Sequence, residues 1–279
     1  MGTINIYLLH YNSIKFMEKQ VSLIRKFFKL TDGETMILHG SVDSNDDNIR
    51  ELMRNEWLRL DVMPYDLPKH RSSCGSTSYG IAFQFVYDNF IKKNDYISIF
   101  MENDIFPIST IEINKYVENY ALCSDIRIAH IFGTVQIPQV WLGLLFFNHL
   151  NFKDKDTFSG LKSIIHCENG KSFMSDCGGE SYYWVSKNKK LIKCIKQTHH
   201  PENYNHFDDH PYLDAYDIPN CKMVDFLPEF LKDRYDDSFR VQNYENKFIH
   251  LLSFLGKQHS IEKLNWFENV YNKLIQTLI

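Results

Sequence analysis

The sequence predicts an α/β fold, a mostly parallel central sheet flanked by helices. Strand-like apolar runs alternate with segments of helical periodicity through the first hundred residues. Strands that alternate with helices imply parallel pairing, and right-handed crossovers then leave helices on both faces of the sheet. The 279 residues, 44% hydrophobic and 15% aromatic, supply a packed core and argue against disorder.

The elements follow in order. Residues 4–11, INIYLLHY, read as a buried strand that ends at polar Asn12 and Ser13, and residues 14–28 follow as a helix with Ile14, Met17, Val21, Ile24 and Phe28 at helical spacing. ETMILHG, after the turn TDG, is a second strand. SNDDNIRELMRNEW supplies a helix whose start is rich in Ser, Asn and Asp, residues that cap orphan N–H groups. LRLDVMPY is expected as a third strand. Residues 75–93 carry Ile81, Phe85, Tyr87 and Phe90 on one long helix, and DYISIFM is the fourth strand. Beyond Pro107 the pattern loosens: STIEINKYVENYAL as a helix, IRIAHIF as a strand, and QVWLGLLFFN as a buried strand whose Gly143 leaves room for a ligand or backbone. Residues 149–171 are polar and irregular, a surface loop. SDCGGESYYWVSKN places Asp176, Gly178 and Gly179 at a turn before an aromatic helix start, and the tail ends in an amphipathic helix with Leu264, Phe267, Val270, Tyr271 and Leu274 along one side. With no repeat or linker, one composite domain is expected.

Charge and cysteine usage narrow the function. A net charge of −4 with scattered Lys and Arg gives no footprint for nucleic acid or an anionic membrane. The longest apolar stretch around Trp141 is too short for a transmembrane segment. Six cysteines without a Cys-x-x-Cys pair, and no basic-then-apolar N-terminus, point to reduced thiols and a cytoplasmic location. A Gly-x-Ser-x-Gly elbow, a phosphate-binding P-loop and a Gly-x-Gly-x-x-Gly after the first strand are all missing, which disfavours serine hydrolases, P-loop kinases and Rossmann dehydrogenases.

The sharpest polar signal is MENDIFP. In a parallel sheet ligands bind outside the carboxyl ends of the strands, where Glu102 and Asp104 stand after the fourth strand. With Asn103 between them, the two acids can face one side of an extended segment and share a hard, oxygen-loving cation. Exposed turn acids are the plainer reading, but these sit in a short polar gap between buried runs. Two further features carry chemistry. His250, in FIHLLSFLGKQ, is either a core histidine or a ligand, and Gly256 and Lys257 after it could bring an N–H and an ammonium to a phosphate. The cluster HHPENYNHFDDH, with His199, His200, His206, Asp208, Asp209 and His210, is a metal site, an acceptor-binding loop or a solvated loop, and it matches no His-Glu-x-x-His spacing.

Four stretches in order, YISIFMENDIFP, VWLGLLFFN, SDCGGESYYW and FIHLLSFLGKQH, resemble the GT-A fold glycosyltransferases, in particular small members from bacteria, phages and large DNA viruses. The resemblance spans roughly residues 3 to 260. It implies a Rossmann-like nucleotide-sugar-binding half (1–107), a smaller acceptor-binding half (108–260) and a C-terminal helix (261–279). It further implies that Glu102 and Asp104 stand for the family's Asp-x-Asp acids, Glu replacing the first Asp. His250, with His259 as its rival, would be the third ligand of a Mn²⁺ or Mg²⁺ ion. Asp176 would contact sugar or acceptor, with Asp176, Asp208 and Asp209 as candidates for the base; Asn12, Ser76, Tyr79 and Asn103 would meet nucleotide and sugar, with Gly256 and Lys257 at the phosphates. The implied activity is transfer of a sugar from a nucleotide-sugar donor, UDP-sugar favoured, to a glycan or other hydroxyl acceptor. Nucleotidyl transfer and a catalytically silent nucleotide-sugar-binding module are the alternatives.

Overall fold

The computed structural model describes residues 2–12, 14–68, 75–131, 135–162, 164–166, 172–195, 197–199 and 241–251, with residues 268, 269, 271, 272 and 276 of a C-terminal helix. The first part of the chain runs β1 (Thr3–Leu9), α1 (Ile14–Phe27), β2 (Phe28–Lys29), β3 (Thr35–Val42), α2 (Asp47–Arg59), β4 (Met63–Asp66), α3 (Gly75–Asn89), β5 (Ile97–Glu102) and β6 (Ile105–Pro107). It continues through β7 (Ile111–Glu112), α4 (Ile113–Val117), β8 (Leu122–Ile131), β9 (Val135–Asn148), β10 (Ile164–His166), β11 (Ser172–Met174) and α5 (Tyr182–Lys187). The last strands among the described residues are β12 (Ile192–Cys194), β13 (Gln197–His199), β14 (Val241–Tyr244) and β15 (Phe248–Leu251).

Among the described residues the central sheet has seven strands, in the order β12-β8-β9-β5-β1-β3-β4. Every pairing in it is parallel except those of β9, which runs against both β5 and β8. The period of two along β1 divides the core between the two faces. Ile4, Ile6 and Leu8 pack with Met17, Val21 and Ile24 of α1, while Tyr7 and Leu9 pack with Phe83, Val86 and Tyr87 of α3. A second, antiparallel sheet in the order β13-β14-β15-β6 stands beside the carboxyl end of β5.

The alternation of strand and helix up to Glu102 is as expected, with local differences. The third strand is shorter than LRLDVMPY because α2 runs on to Arg59, where the Leu60 N–H still reaches the Glu56 carbonyl at 3.1 Å; only Met63–Asp66 is extended. On α3 the fully buried face is Phe83, Val86 and Tyr87 rather than Ile81 and Phe85. STIEINKYVENYAL is only briefly helical, since Ile111 and Glu112 pair with Phe28 and Lys29 as strand. Residues 149–171 are no mere surface loop: Phe152 and Phe158 are buried against Trp184 and Phe147, and β10 pairs with β11. The tail's start at Tyr244 is strand. Of the expected amphipathic helix side, Tyr271 is described, with the Lys19 ammonium 4.4 Å above its ring and bonded to Glu268 at 2.8 Å; Leu264, Phe267, Val270 and Leu274 lie outside the described residues. Among the described residues Cys123, Cys177 and Cys194 form no disulfide, and no helix is long and apolar enough to cross a membrane.

Two buried imidazoles make stability pH-dependent. Burial pushes His39 down to about 4, and burial with the nearby Lys155 charge pushes His149 down to about 3. Both therefore bind protons more readily in the unfolded chain, whose histidines titrate near 6.5. Their contribution is complete above about pH 6.5 and is lost as the pH falls towards 4 and 3. Thermal melts from pH 7 to pH 4 should show a falling midpoint, and His149→Gln, which keeps a partner for the Ser98 hydroxyl now 2.9 Å from Nε2, should flatten the fall. A variant whose midpoint falls as steeply as wild type would remove His149 from this account.

Candidate active site

The carboxyl edge of the parallel strands is where the site forms. Leu9 of β1 lies opposite Glu102 of β5, so the loop carrying Asn12 and the acidic turn after Glu102 leave the sheet side by side. Asn12 has a left-handed backbone at φ 50°, and its N–H donates to the Asp43 carbonyl at 3.3 Å, which ties the ends of β1 and β3 together.

The chain turns at Asn103 and Asp104 and enters β6, which pairs with β15 so that His250 lies opposite Ile105. Glu102, Asp104 and His250 thereby bring one ligand atom each within 4.8 Å of one another. His250 Nε2 is 3.4 Å from Asp104 Oδ1. That buried oxygen makes no hydrogen bond. Burial first, and then the Asp104 charge, push Glu102 well above the usual carboxylate range against the pull of Arg127. Two acids and an imidazole, with an orphaned carboxylate oxygen between them, fit a divalent cation. Atoms sharing an ion at about 2.0 to 2.3 Å lie at most roughly 4.6 Å apart, so small side-chain shifts close the set. Mn²⁺ accepts both carboxylate and imidazole.

The turn is held from two sides. The Leu251 N–H donates to the Asp104 carbonyl at 2.9 Å from β15. From α1, Gln20 Nε2 donates to the carbonyls of Glu102 and Ile105, each at 2.7 Å. His250 is fixed in turn by Trp141, whose ring centroid is 4.8 Å away and which also stacks on Tyr244 at 5.4 Å and lies 4.2 Å under the Arg127 guanidinium. Arg127 donates to Asp125 at 2.9 Å and to the Tyr244 hydroxyl at 3.1 Å. The room at Gly143 goes to this ring and not to a ligand: a Cβ there would lie 2.1 Å from Trp141.

The Asp176 turn meets the start of α3, close enough to the acidic turn for the Glu102 charge to act on Cys177. Gly178, at φ 84°, brings its N–H to the Gly160 carbonyl at 2.7 Å, and a Cβ there would lie 2.3 Å from the Val140 carbonyl oxygen. Ser181 Oγ donates back to the Gly178 carbonyl and accepts from the Val140 N–H at 2.8 Å, so the turn is anchored on β9. Asp176 is exposed. Its Oδ1 accepts from the Ser76 hydroxyl and, at 2.8 Å, from the Cys177 N–H; Oδ2 carries neither bond. Tyr79, one turn along α3 from Ser76, donates to the Leu142 carbonyl at 3.2 Å. Burial pushes its hydroxyl up, with the Glu102, Cys177 and Asp104 charges adding to the effect. Burial likewise pushes the Cys177 thiol up to about 11, its side-chain hydrogen bond with Ser76 opposing and the Asp176 and Glu102 charges adding. One thiol thus feels both the Asp176 turn and the acidic turn.

Of the residues singled out in the sequence, Glu102, Asp104 and His250 come together, Asn103 is buried between the two acids, and Ser76, Tyr79 and Asp176 gather at the start of α3. Asp208, Asp209, Gly256, Lys257 and His259 lie outside the described residues, as do the side chains of the His199 to His210 cluster. Gln20, Arg127, Trp141 and Tyr244 were not singled out. Gln20 had a signal: it stands at the i+3 position between Met17 and Val21 on the buried stripe of α1, a polar residue where an apolar one belongs.

No family model matches the chain, and no curated protein does. Among solved structures the chain is similar to the apo form of mouse xyloside xylosyltransferase 1 (TM-score 0.43, 14% identity, over 79% of this chain and 95% of that one). It is similar also to galactosyltransferase LgtC in complex with donor and acceptor sugar analogs (TM-score 0.49, 11% identity, 98% and 96%) and to the WbbM bifunctional glycosyltransferase (TM-score 0.42, 7% identity, 77% and 43%).

Proposed function

We propose that this protein is a GT-A glycosyltransferase that moves a sugar from a nucleotide-sugar donor, a UDP-sugar, to a hydroxyl acceptor with the help of a divalent cation. The carrying observation is the convergence of Glu102, Asp104 and His250 at the carboxyl edge of a parallel strand, around a buried oxygen with no hydrogen bond. The ordered motifs of the sequence support the same reading. Mn²⁺ or Mg²⁺ held by these three residues would neutralise charge developing on a diphosphate leaving group.

The chain's own residues account for the rest. The Asp176 turn, pinned to β9, carries a carboxylate whose Oδ1 is held by Ser76 and the Cys177 N–H, so Oδ2 is the oxygen offered to an acceptor hydroxyl. In an inverting transfer that oxygen takes the hydroxyl proton as the new bond forms. The half-buried ring of Trp141, stacked on buried Tyr244, covers one side of His250 and lowers its exposure to water, which strengthens charge interactions at the acids.

Isothermal titration with a panel of nucleotide sugars, with and without Mn²⁺, tests the reading. Binding of a UDP-sugar in Mn²⁺ and its loss in chelator are expected. Binding of none of the panel in Mn²⁺ would overturn it, and turnover of a nucleoside triphosphate with release of pyrophosphate would replace it with nucleotidyl transfer.

A further inference from the structure

Gln20 is completely buried on α1 and spends its whole amide on the acidic turn and one neighbour. Its single nitrogen meets two carbonyls, those of Glu102 and Ile105, which bracket the Asn103–Asp104 turn, while Oε1 lies 2.8 Å from His10 Nε2. The orientation is forced. Carbonyl oxygens only accept, so the NH₂ end must face them, and a flipped amide would set three oxygens against one another. Oε1 is then an acceptor, and His10 must carry a proton on Nε2. His10 is itself completely buried just past β1, its N–H donating to Ser41 Oγ at 2.8 Å and the Ser41 hydroxyl donating back to its carbonyl at 3.1 Å. The ring also sits edge-on to Trp57 at 5.5 Å.

From this geometry we infer that Gln20 is the positioning residue of the metal site, drawing the two ends of the acidic turn together so that Asp104 faces His250, with His10 fixing the amide. The inference rests on the metal-site reading above. The opposing tie, Leu251 N–H to the Asp104 carbonyl, fixes the turn to β15, so the two clamps together set the spacing between Asp104 on the turn and His250 on the strand. Without Gln20 the turn loses its tie to α1. Both bracketing carbonyls would then lose their donor in a buried place and draw the turn out of shape to find another.

Mn²⁺ titration of the full chain, followed by electron paramagnetic resonance, is the test, with Gln20→Met as the variant. Met matches the length of Gln but donates nothing. Wild-type binding and a loss of at least about tenfold in affinity in Gln20→Met, at a temperature where its circular dichroism is that of wild type, are expected. Equal affinity in the two proteins overturns the inference, while absence of Mn²⁺ binding by wild type overturns the metal reading instead. Should Gln20→Met not fold, histidine nitrogen spectra of the wild type decide. They should show His10 protonated at Nε2, with its signals moving on saturation with diamagnetic Mg²⁺. The Nδ1-protonated form, or signals that ignore the ion, overturns the inference.

Discussion

Asp104→Ala should abolish sugar transfer while leaving the metal-free protein at least as stable as wild type. In the metal-free state Asp104 Oδ1 is buried without a hydrogen bond, beside a Glu102 whose own ionisation it opposes. Removing that carboxylate takes away the charge that helps hold Glu102 protonated, and what is lost in exchange is a single 3.4 Å approach to His250. The backbone ties of the turn, through the Asp104 carbonyl and through Gln20, survive the substitution. With Mn²⁺ the outcomes diverge. A ligand that binds only the folded state stabilises it by RT ln(1 + [L]/Kd) and so raises the melting temperature as its concentration passes Kd; wild type should gain and the variant should not. Scanning fluorimetry with and without Mn²⁺, beside a transfer assay, reads both. Transfer near the wild-type rate in Asp104→Ala would end the assignment of this carboxylate.

For Asp176→Asn the expected loss of transfer is at least about a hundredfold, within the range that a positioned base supplies. Asn keeps a carbonyl oxygen that can accept from both the Ser76 hydroxyl and the Cys177 N–H, so the turn and its anchorage through Gly178 and Ser181 remain as they are. What disappears is the second carboxylate oxygen and with it the capacity to take a proton. The melting temperature should therefore hardly change. Near-normal transfer in a stable Asn variant would make Asp176 a turn residue and pass the role of base to Asp208 or Asp209.

The parts of this site that were legible in the sequence are those that break a local pattern. Glu102 and Asp104 interrupt two apolar runs, and Gly178 after Asp176 marks a turn that demands a left-handed backbone, so each announces itself within a few residues. β9 does not. From Val140 to Phe147 it is one apolar run broken only by Gly143, and such a run carries no signature of its direction, so its antiparallel course between two otherwise parallel groups had to be seen. Trp141 was hidden for a related reason: inside VWLGLLFF it looks like one more core residue, and only its approach to Gly143, Tyr244 and His250 distinguishes it. The burial of Phe152 and Phe158 escaped notice because the polar residues around them masked two isolated anchors that no periodicity links.

The place of β15 has a consequence for the order in which the protein takes shape. The seven-stranded sheet is complete in sequence once Cys194 has been added, yet one of the three converging side chains arrives only with His250, roughly 150 residues after Asp104. A nascent chain can thus possess every strand of that sheet and still hold Glu102 and Asp104 side by side without the imidazole that approaches Asp104. Closing so long a loop costs entropy that grows only slowly with its length, and the strand pairing of β15 with β6 is the contact that meets that cost. The last strand among the described residues is in this sense a latch: until it docks, the edge of the sheet carries two acids alone, and afterwards an imidazole stands beside them.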